Sequence, residues 1–289
     1  MNTSAVPSAE LDRLRRLGWS PAEHGTLREG IWRVGEAGSV NYPTEGFAAI
    51  EPGSGASYWF DHRADEVAEQ LHRLSCASLW EIGAGSGAMS HRLERKGFEV
   101  VAVEPLIEGA RAIAERSDGP VFCGLVDDLH LPAGSLPAVG VFDVLEHLDH
   151  PDLMLAELHR ILAPGGLLFV TVPALSWLWS DEDDVAGHQV RYTRRTLTAA
   201  MAEAGFAELH SAYLYASLVA PAAAIRAVPY RLGRRRSGTE ALAALDQQLD
   251  PPPAVDMAVR SVLRGESRLA RRLRLPIGTS LLGVYRRPL

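Results

Sequence analysis

Between residues 77 and 215 the chain alternates short apolar segments with amphipathic ones, and no other feature restricts its fold as strongly. Short apolar strands separated by helices form parallel sheets that are covered on both faces. The sequence therefore predicts a doubly wound α/β core. The predicted strands are 77–82, 99–103, 121–125, 138–142, 167–172 and 207–215, and the predicted helices between them are 89–96, 107–116, 152–162 and 196–204.

The segments around this core give weaker signals. Residues 18–57 are rich in glycine and proline and predict loops with a small hairpin. A helix is expected over 61–74, and the run Pro164-Gly165-Gly166 predicts a turn before the fifth strand. A short helical stripe of Leu11, Leu14 and Leu17 ends at Gly18.

A glycine-rich loop follows the first predicted strand. Gly83, Gly85 and Gly87 alternate with Ala84 and Ser86, so a ligand can approach the backbone closely, and the helix that follows offers free N–H groups. In open α/β sheets, ligands bind beyond the carboxyl ends of the strands. Glycine-rich turns also occur for packing, so the loop alone marks only a candidate site.

An acidic residue, Glu104, ends the second strand about 20 residues after this loop. A carboxylate in that position can accept both hydroxyl hydrogens of a ribose. Loop and acid together predict a nucleoside-type cofactor. The dinucleotide pattern has a third glycine where Ala88 stands; because GxGxxA is tolerated, that position leaves NAD and other nucleoside cofactors open.

Four segments in order resemble the motifs of Rossmann-like (class I) S-adenosylmethionine-dependent methyltransferases. They are the glycine loop with its strand (79–87), the second-strand acid (100–104), the fourth-strand motif (142–148) and the turn before strand five (160–166). The resemblance implies an S-adenosylmethionine-dependent enzyme. It also implies an α/β fold with a doubly wound, seven-stranded, mostly parallel sheet of order 3-2-1-4-5-7-6, in which the seventh strand, 280–285, is antiparallel.

Shorter segments resemble a bacterial subfamily of these enzymes whose substrates are mostly unassigned. They are 58–60 with Arg63, 172–174, 187–188 with 191–193, and 275–281. Val190 departs from the subfamily pattern, which often has an arginine there. Leu125 stands where many relatives place the aspartate that meets the adenine amino group, so Asp127, Asp128 or the backbone at Val126 takes that role in our interpretation.

The implied fold divides the chain into four parts. They are an N-terminal lid (1–70), the cofactor-binding core (71–215), a helical cap between strands six and seven (216–276), and the final strand (277–289). A site covered by irregular segments favours an enclosed small molecule over a polymer. In the cap, Leu263, Leu269 and Leu273 are predicted to face inward, and the arginines at 260, 264, 268 and 271 to stay in solvent.

The resemblance assigns residues to the cofactor. Glu104 is expected at the ribose, and Arg63 and Phe60 at the cofactor carboxylate and over the cofactor. The predicted cofactor-binding set is Phe60, Arg63, Glu81, Gly83, Ala84, Gly85, Gly87, Glu104, Pro105, Val126, Asp127, Phe142 and Asp143.

Methyl transfer from a sulfonium is an in-line displacement that needs alignment of nucleophile, methyl and sulfur, and a base where the acceptor must lose a proton. His188, His147 and Tyr192 are the candidate catalytic residues. Each histidine has an alternative: His188 could order its loop, and His147 could be structural. No metal site is predicted, because Glu146, His147 and His150 are poorly spaced for one helix face and no fourth ligand is evident.

Two further groups in the sequence have both a functional and a structural interpretation. The acidic run 181–184 could bind an amine, although exposure to solvent is the preferred interpretation. Five aromatic residues could wall an aromatic acceptor pocket, although a place in the core is preferred for them: Trp177, Trp179, Tyr192, Tyr213 and Tyr215.

Composition bears on location and partners. The net charge of −7 argues against general nucleic-acid binding. Cys76 and Cys123 have no metal-site spacing, and no apolar signal segment begins the sequence, so we expect a cytoplasmic location. The expected function is methylation of an O, N or C atom of a small molecule, with no nucleic-acid partner.

Two alternatives remain open. The apolar stretch 211–225 leads into a basic region. After position 220 the sequence has 13 arginines and 5 acidic residues, a net charge of +8. Such a segment could rest on an anionic membrane and admit a lipid acceptor, although a lid helix packed on the sheet is preferred. The second alternative is a protein that binds S-adenosylmethionine without catalysis.

Overall fold

The computed structural model of the chain describes residues 12, 14–15, 25–35, 57–249 and 251–289. Most of the predicted lid (1–70) and most of the predicted Leu11–Leu14–Leu17 helix lie outside these residues. Within them, the chain forms a mixed sheet with helices packed on both faces. Its strands are β1 (Gly25–Arg28), β2 (Ile31–Val34), β3 (Ser78–Ile82), β4 (Glu99–Glu104), β5 (Val121–Cys123), β6 (Leu136–Phe142), β7 (Leu162–Pro173), β8 (Ala207–Leu214) and β9 (Ser280–Arg286).

The strand order is β1-β2-β5-β4-β3-β6-β7-β9-β8. Strands β3 to β7 pair in parallel, and β9 is antiparallel to both β7 and β8. Without the first two strands, this is the predicted order 3-2-1-4-5-7-6. The predicted α/β fold class is therefore confirmed.

The first two strands form a hairpin that extends the sheet at its β5 edge. Glu29 and Gly30 both have positive φ, of 54° and 76°, as a two-residue type I′ turn requires. Strand β2 pairs in parallel with β5, and the ring of Trp32 stacks 6.3 Å from that of Phe122. The sequence predicts the hairpin but not this docking, because four residues in a glycine-rich region carry too little periodicity to show a partner.

The described helices are α1 (Tyr58–Arg73), α2 (Ala88–Arg95), α3 (Ile107–Ala114), α4 (Pro151–Ile161), α5 (Asp181–Ala186), α6 (Arg194–Glu203), α7 (Val219–Ala222), α8 (Val228–Arg231), α9 (Gly238–Leu249) and α10 (Pro253–Ala270). A π-helical segment, Ala223–Ala227, joins α7 to α8. The residues that follow β8 up to position 270 are thus mostly helical.

Alternate residues of each strand enter opposite faces of the sheet. In β3, Leu79 packs with the cluster that includes Val67 and Leu71 of α1, and Trp80 packs with the cluster that includes Leu158 of α4. Phe169 of β7 lies in the first of these clusters. The core therefore has a layer on each face of the sheet, as the apolar strands predict.

One predicted turn is wrong. Gly165 and Gly166 lie inside β7, where the register with β6 shifts between Leu136 and Ala138. The N–H of Gly165 donates to the carbonyl of Arg287 at 2.9 Å, and the N–H of Arg287 donates to Gly166 at 2.9 Å. The glycines therefore form an irregularity that keeps its ladder bonds, and the strand is longer than predicted.

Two of the three leucines expected to face inward from the cap do not. Leu263 is buried, but Leu269 and Leu273 are 48% and 58% exposed. The inner face of α10 is fixed by polar contacts with α1, including the Arg260–Asp61 ion pair. Arg260 is therefore half-buried rather than in solvent, while Arg264, Arg268 and Arg271 are exposed.

Candidate functional site

A cavity of about 960 Å³ lies beyond the carboxyl ends of β3, β4, β5 and β6, where open α/β sheets bind ligands. Every predicted cofactor residue except Gly87 lines it. His147 and His188 line it as well, so two of the three candidate catalytic residues face the same space as the cofactor residues, and Tyr192 does not. The cap contributes further lining residues, among them Pro221, Ile225 and Val255.

The three glycines of the loop have different structural roles. A Cβ on Gly83 would lie 2.8 Å from Val144, and one on Gly87 would lie 2.8 Å from Ile113, so packing requires both glycines. Gly85 has φ +58° and nothing within 4 Å of its Cβ position. Only at Gly85 does the loop leave open space beside a backbone that a ligand can approach.

Glu104 lies beside this opening and is fixed there by the backbone. Its two carboxylate oxygens accept the N–H of Gly85 at 2.7 Å and the N–H of Leu106 at 2.9 Å. Burial raises the pKa of Glu104 to about 7, although both hydrogen bonds oppose the shift. Each oxygen keeps a lone pair, so the oriented carboxylate can still accept two hydroxyl hydrogens.

Glu81 is the second buried carboxylate of this region. Burial raises its pKa to about 8, and Ser90 donates a hydrogen bond to it. Burial therefore favours the protonated form of Glu81, which lines the cavity.

The other end of the cofactor region is built on Arg63. This buried guanidinium pairs with Asp143, whose other oxygen accepts the Thr171 hydroxyl at 3.2 Å. Its Cζ lies 5.3 Å from the ring centroid of Trp59, which stacks on Tyr215 at 4.1 Å. The Nε of Arg63 has no hydrogen-bond partner among the described residues, so a donor remains for a ligand carboxylate.

The loop after β5 supplies the third part of the cofactor region. Val126 is buried and Asp127 is exposed, and both line the cavity. The carboxylate of Asp128 instead accepts the Leu125 N–H at 3.1 Å and occupies the space where Gly35 would carry a Cβ. Of the acids considered for an adenine contact, Asp127 is thus the one that faces the cavity.

These groups fit an adenosyl amino acid. The opening at Gly85 suits a close approach, the Glu104 carboxylate suits a ribose, and the unpartnered Nε of Arg63 suits a carboxylate. The buried Oγ of Ser86 also has no partner among the described residues. The donors and acceptors therefore match a nucleoside at one end and an amino acid at the other.

A second group of polar residues surrounds His188. Its Nδ1 lies 2.8 Å from Asp183, and the same carboxylate oxygen accepts the Nε–H of Arg191 at 2.7 Å. Burial raises the pKa of Asp183, but the His188 hydrogen bond and the Arg191 charge outweigh it and lower the pKa to about 2. Because the ionised Asp183 carboxylate holds Nδ1 of His188, the other ring nitrogen, Nε2, is available to a ligand in the cavity.

His147 and Glu146 lie beside His188. The rings of His147 and His188 meet edge to face at 4.9 Å. Burial and the neighbouring His188 lower the pKa of His147 to about 4, so His147 is neutral at physiological pH. Glu146 is fully buried, and its burial raises its pKa well above the usual range. From the sequence, Glu146 is considered only as a metal ligand, and no metal site is predicted. The motif gives no sign that this carboxylate lacks a hydrogen-bond partner in the folded chain.

Tyr192 and the other aromatic candidates do not wall the cavity. Tyr192 lies in the hydrophobic core, paired with Ala174 through a backbone bridge, and burial raises its pKa to about 12. Trp177 is exposed, and the indole N–H of Trp179 donates to Asp184 at 2.8 Å. The ring of Tyr215 stacks on that of Trp59. The preferred interpretation, a place in the core, therefore holds for Tyr192 and Tyr215.

The expected exposure of the acidic run 181–184 is wrong for three of its four residues. Asp181, Glu182 and Asp183 are buried in the short helix α5. Glu182 pairs with Arg226 at 3.2 Å and with Arg236, both from the cap. The arginine partners of Asp181 and Glu182 are some 40 to 55 residues away in the sequence, so no local pattern could have shown that these two acids are neutralised, whereas His188 and Arg191 pair with Asp183 from five and eight residues away.

Comparison with known proteins bears on the family. A family model described as "Methyltransferase domain" matches residues 59–211. The mitochondrial ubiquinone biosynthesis O-methyltransferase of Mus musculus is 30% identical over 107 residues, which cover 34% of this chain and 29% of that protein. The ubiquinone biosynthesis O-methyltransferase of Xanthomonas oryzae pv. oryzae (strain PXO99A) is 32% identical over 115 residues, 38% of this chain and 48% of that protein.

Among solved structures, the [4+2]-cyclase SpnF superposes with a TM-score of 0.52 at 19% identity, covering 79% of this chain and 81% of that one. A likeness at this identity shows the fold alone, and SpnF is named as a cyclase, so the fold does not fix the reaction. The chain spans less than half the length of the two curated relatives named above.

Proposed function

The chain belongs to the methyltransferase-domain family, as a class I S-adenosylmethionine-dependent member, and on this premise we propose that it methylates an O, N or C atom of a small molecule. The observation that carries the proposal is the single cavity in which the Gly85–Glu104 site adjoins the His147–His188 pair. A cofactor and an acceptor can meet there without leaving the protein.

The predicted cofactor residues take specific roles in this proposal. Glu104 accepts the ribose hydroxyls, Asp127 and Val126 contact the adenine, and Arg63 offers its Nε to the cofactor carboxylate. When bound, S-adenosylmethionine supplies an electrophilic methyl group on a sulfonium. The protein's own task is to orient the acceptor and to exclude water, which can contribute several kcal/mol through alignment alone.

The acceptor lies, in this proposal, under the cap formed by residues 216–276. Pro221, Ala222 and Ile225 from the helices after β8 line the cavity, as does Val255 from α10. The core then comprises 71–215 with the final strand 277–289, and the lid comprises 1–70. Largely apolar lining with a few polar groups is typical of small-molecule pockets.

Calorimetry tests the cofactor directly. The protein should bind S-adenosylhomocysteine and not NAD, because the cavity offers a cation for an amino-acid carboxylate. Binding of NAD without binding of S-adenosylhomocysteine would overturn the proposal. Formation of S-adenosylhomocysteine from S-adenosylmethionine with a panel of acceptors would then exclude a non-catalytic binding protein.

A specific observation favours a second acceptor class, a lipid presented at an anionic membrane surface. Ile225 of the π-helical segment, Val228 of α8 and Leu232 directly after α8 are spaced at i, i+3 and i+7 and are 62%, 49% and 69% exposed. Ile225 also lines the cavity, so the exposed stripe begins at its rim. Exposed Arg231 and Arg234 flank the stripe, as expected for an interfacial helix.

No helix in the described part of the chain is long and apolar enough to cross a bilayer. Surface contact is tested by flotation with phosphatidylglycerol-containing vesicles and with phosphatidylcholine vesicles. The lipid proposal predicts flotation with the anionic vesicles and its loss in the Ile225→Ser, Val228→Ser, Leu232→Ser variant. Leu209→Ser, at an exposed leucine of β8, is the control. Absence of flotation leaves the small-molecule proposal in place and removes this one.

A further inference from the structure

Three side chains that can each supply a metal-ligand atom lie together at the acceptor side of the cavity. One ligand atom each from Glu146, His147 and His188 lies within 4.8 Å of the other two. All three residues line the cavity. Sequence spacing relates Glu146 and His147 to His150, but the folded chain brings His188 from the loop after β7 instead.

Glu146 is the unusual member of this group. Neither of its carboxylate oxygens has a hydrogen-bond partner among the described residues, although the residue is fully buried. Three neighbouring acids, by contrast, are paired: Asp143 with Arg63, Asp183 with Arg191, and Glu182 with Arg226. A buried carboxylate without a partner is costly and calls for a compensating ligand.

The surroundings of His188 are those of a metal ligand. Metal-bound histidines usually donate their second ring N–H to a carboxylate, which fixes the tautomer and the orientation of the ring. Asp183 provides that carboxylate on Nδ1 of His188 at 2.8 Å, and Arg191 and the capping box of Ser180 hold Asp183 in place. Because Nδ1 is held by Asp183, Nε2 is the ring nitrogen left for coordination.

We propose that Glu146, His147 and His188 bind a divalent cation of the zinc or first-row transition-metal class, which in turn binds an oxygen of the acceptor. Two histidines and one carboxylate form a common catalytic site for such ions, with positions left for water or substrate. Ligand bonds of roughly 2.0–2.2 Å require these donors to move together by about an ångström, which side-chain rotation supplies. The role for the acceptor rests on the proposed function; the cation site does not.

The cation narrows the acceptor to a molecule with a hydroxyl group, because a bound cation lowers the pKa of an oxygen ligand. The hydroxyl proton leaves to water. The oxygen lone pair then forms the O–CH₃ bond while the electron pair of the CH₃–S bond stays on sulfur, so that the sulfonium becomes a neutral thioether. Atoms and charge balance with the single proton released.

Titration of chelator-treated protein with zinc chloride by calorimetry, and with cobalt chloride by absorption spectroscopy, tests the site. The wild type should bind one ion per chain. Glu146→Gln and His188→Asn should each weaken binding at least tenfold, and Asp183→Asn should weaken it roughly 10- to 100-fold as a supporting group. His150→Asn is the matched control, since its exposed ring lies outside the cluster, and should leave the affinity unchanged.

Binding of S-adenosylhomocysteine, measured on the same samples, separates this inference from the proposed function. Wild-type protein that binds S-adenosylhomocysteine but neither metal overturns the cation site alone. Equal metal affinity in the wild type, Glu146→Gln and His188→Asn overturns it as well, because the ion would then bind elsewhere. Circular dichroism identifies a variant that fails to fold, in which case the wild-type stoichiometry and the other variant decide.

Discussion

The two halves of the cavity are built in different ways. The nucleoside end of the cofactor half is formed by the loops that directly follow β3, β4 and β5, and Glu104 is fixed there by the backbone N–H groups of Gly85 and Leu106. Its other end is the ion pair of Arg63 from α1 with Asp143 after β6. The acceptor half is assembled from the loops after β6 and β7 and from the cap, which ion pairs such as Glu182–Arg226 hold together. The first half depends on the sheet, and the second on contacts distant in sequence.

The largest expected effect comes from removing the cap. Replacing residues 216–276 by a short Gly/Ser hairpin should abolish methyl transfer, because the cap supplies much of the acceptor half. Binding of S-adenosylhomocysteine should stay within about tenfold, which is about 1.4 kcal/mol, since the cofactor half lies on the sheet.

The cap also buries core, since Leu263 is inaccessible to solvent, so circular dichroism must first show that the variant is folded. Equal loss of cofactor binding in a folded variant would contradict the division into two halves. Unchanged methyl transfer would show that the acceptor pocket is built elsewhere, from the N-terminal residues.

The next largest effect concerns the cofactor half. Glu104→Ala should weaken S-adenosylhomocysteine binding by tenfold or more, because two charge-assisted hydrogen bonds to the ribose are worth about 1.5–3 kcal/mol each. Glu99→Ala is the matched control, on the same strand but exposed. Calorimetry that finds the same affinity in both variants would mean that the ribose binds elsewhere.

A smaller effect is the pH dependence of that site. Burial raises the pKa of Glu104 to about 7, and the ribose hydroxyls favour the ionised form. Affinity for S-adenosylhomocysteine should therefore rise by up to about tenfold between pH 6 and pH 8, and the Glu104→Gln variant should show no such rise. A rise that persists in this variant would assign the titration to another group.

The same shift has a consequence for the free protein. The folded pKa lies above the unfolded value of about 4.3, so the folded state binds more protons between these values. The contribution of Glu104 to stability is therefore present below about pH 4.3 and is lost as the pH rises through 7. Ligand binding and folding should thus depend on pH with opposite signs at this residue.

The comparison also explains what could be predicted from the sequence. The cofactor half follows from short-range patterns: an apolar strand, a glycine loop and an acid at the end of the next strand all lie within some 25 residues. The acceptor half does not, because Asp183 and His188 acquire their roles through contacts with Arg191 and His147 that only the folded chain brings about. From the sequence alone, the acidic run is expected to lie in solvent, because the cap arginines that pair with it are distant in sequence.

The same reasoning applies to the fold. Strands β3 to β8 are predictable because their apolar runs are bounded by glycines and helices, whereas β9 is expected only from the family resemblance. The docking of β2 on β5 and the irregularity at Gly165 are not, because both depend on which strand lies alongside. The prediction for Leu269 of the cap is wrong for a related reason: helical spacing gives a stripe, but the polar contacts of α10 with α1 decide which stripe faces inward.

An effect of similar size, on stability rather than on binding, is expected where the cap meets the acidic run 181–184. Glu182 is buried and accepts ion pairs from Arg226 and Arg236, which are partly exposed. Glu182→Gln removes the carboxylate charge that faces these arginines. A fully buried pair broken in this way costs about 3–5 kcal/mol, and solvent at the arginines reduces this to about 1–2 kcal/mol. Asp184→Asn, at the exposed end of the same run, should cost less than about 1 kcal/mol.

Urea unfolding gives both free energies, and 0.5 M salt should narrow the difference between them, because the arginine ends of the Glu182 pairs reach solvent. Equal costs for the two variants would show that the acidic run acts as a solvated surface, so that packing rather than charge holds the cap on the acceptor half.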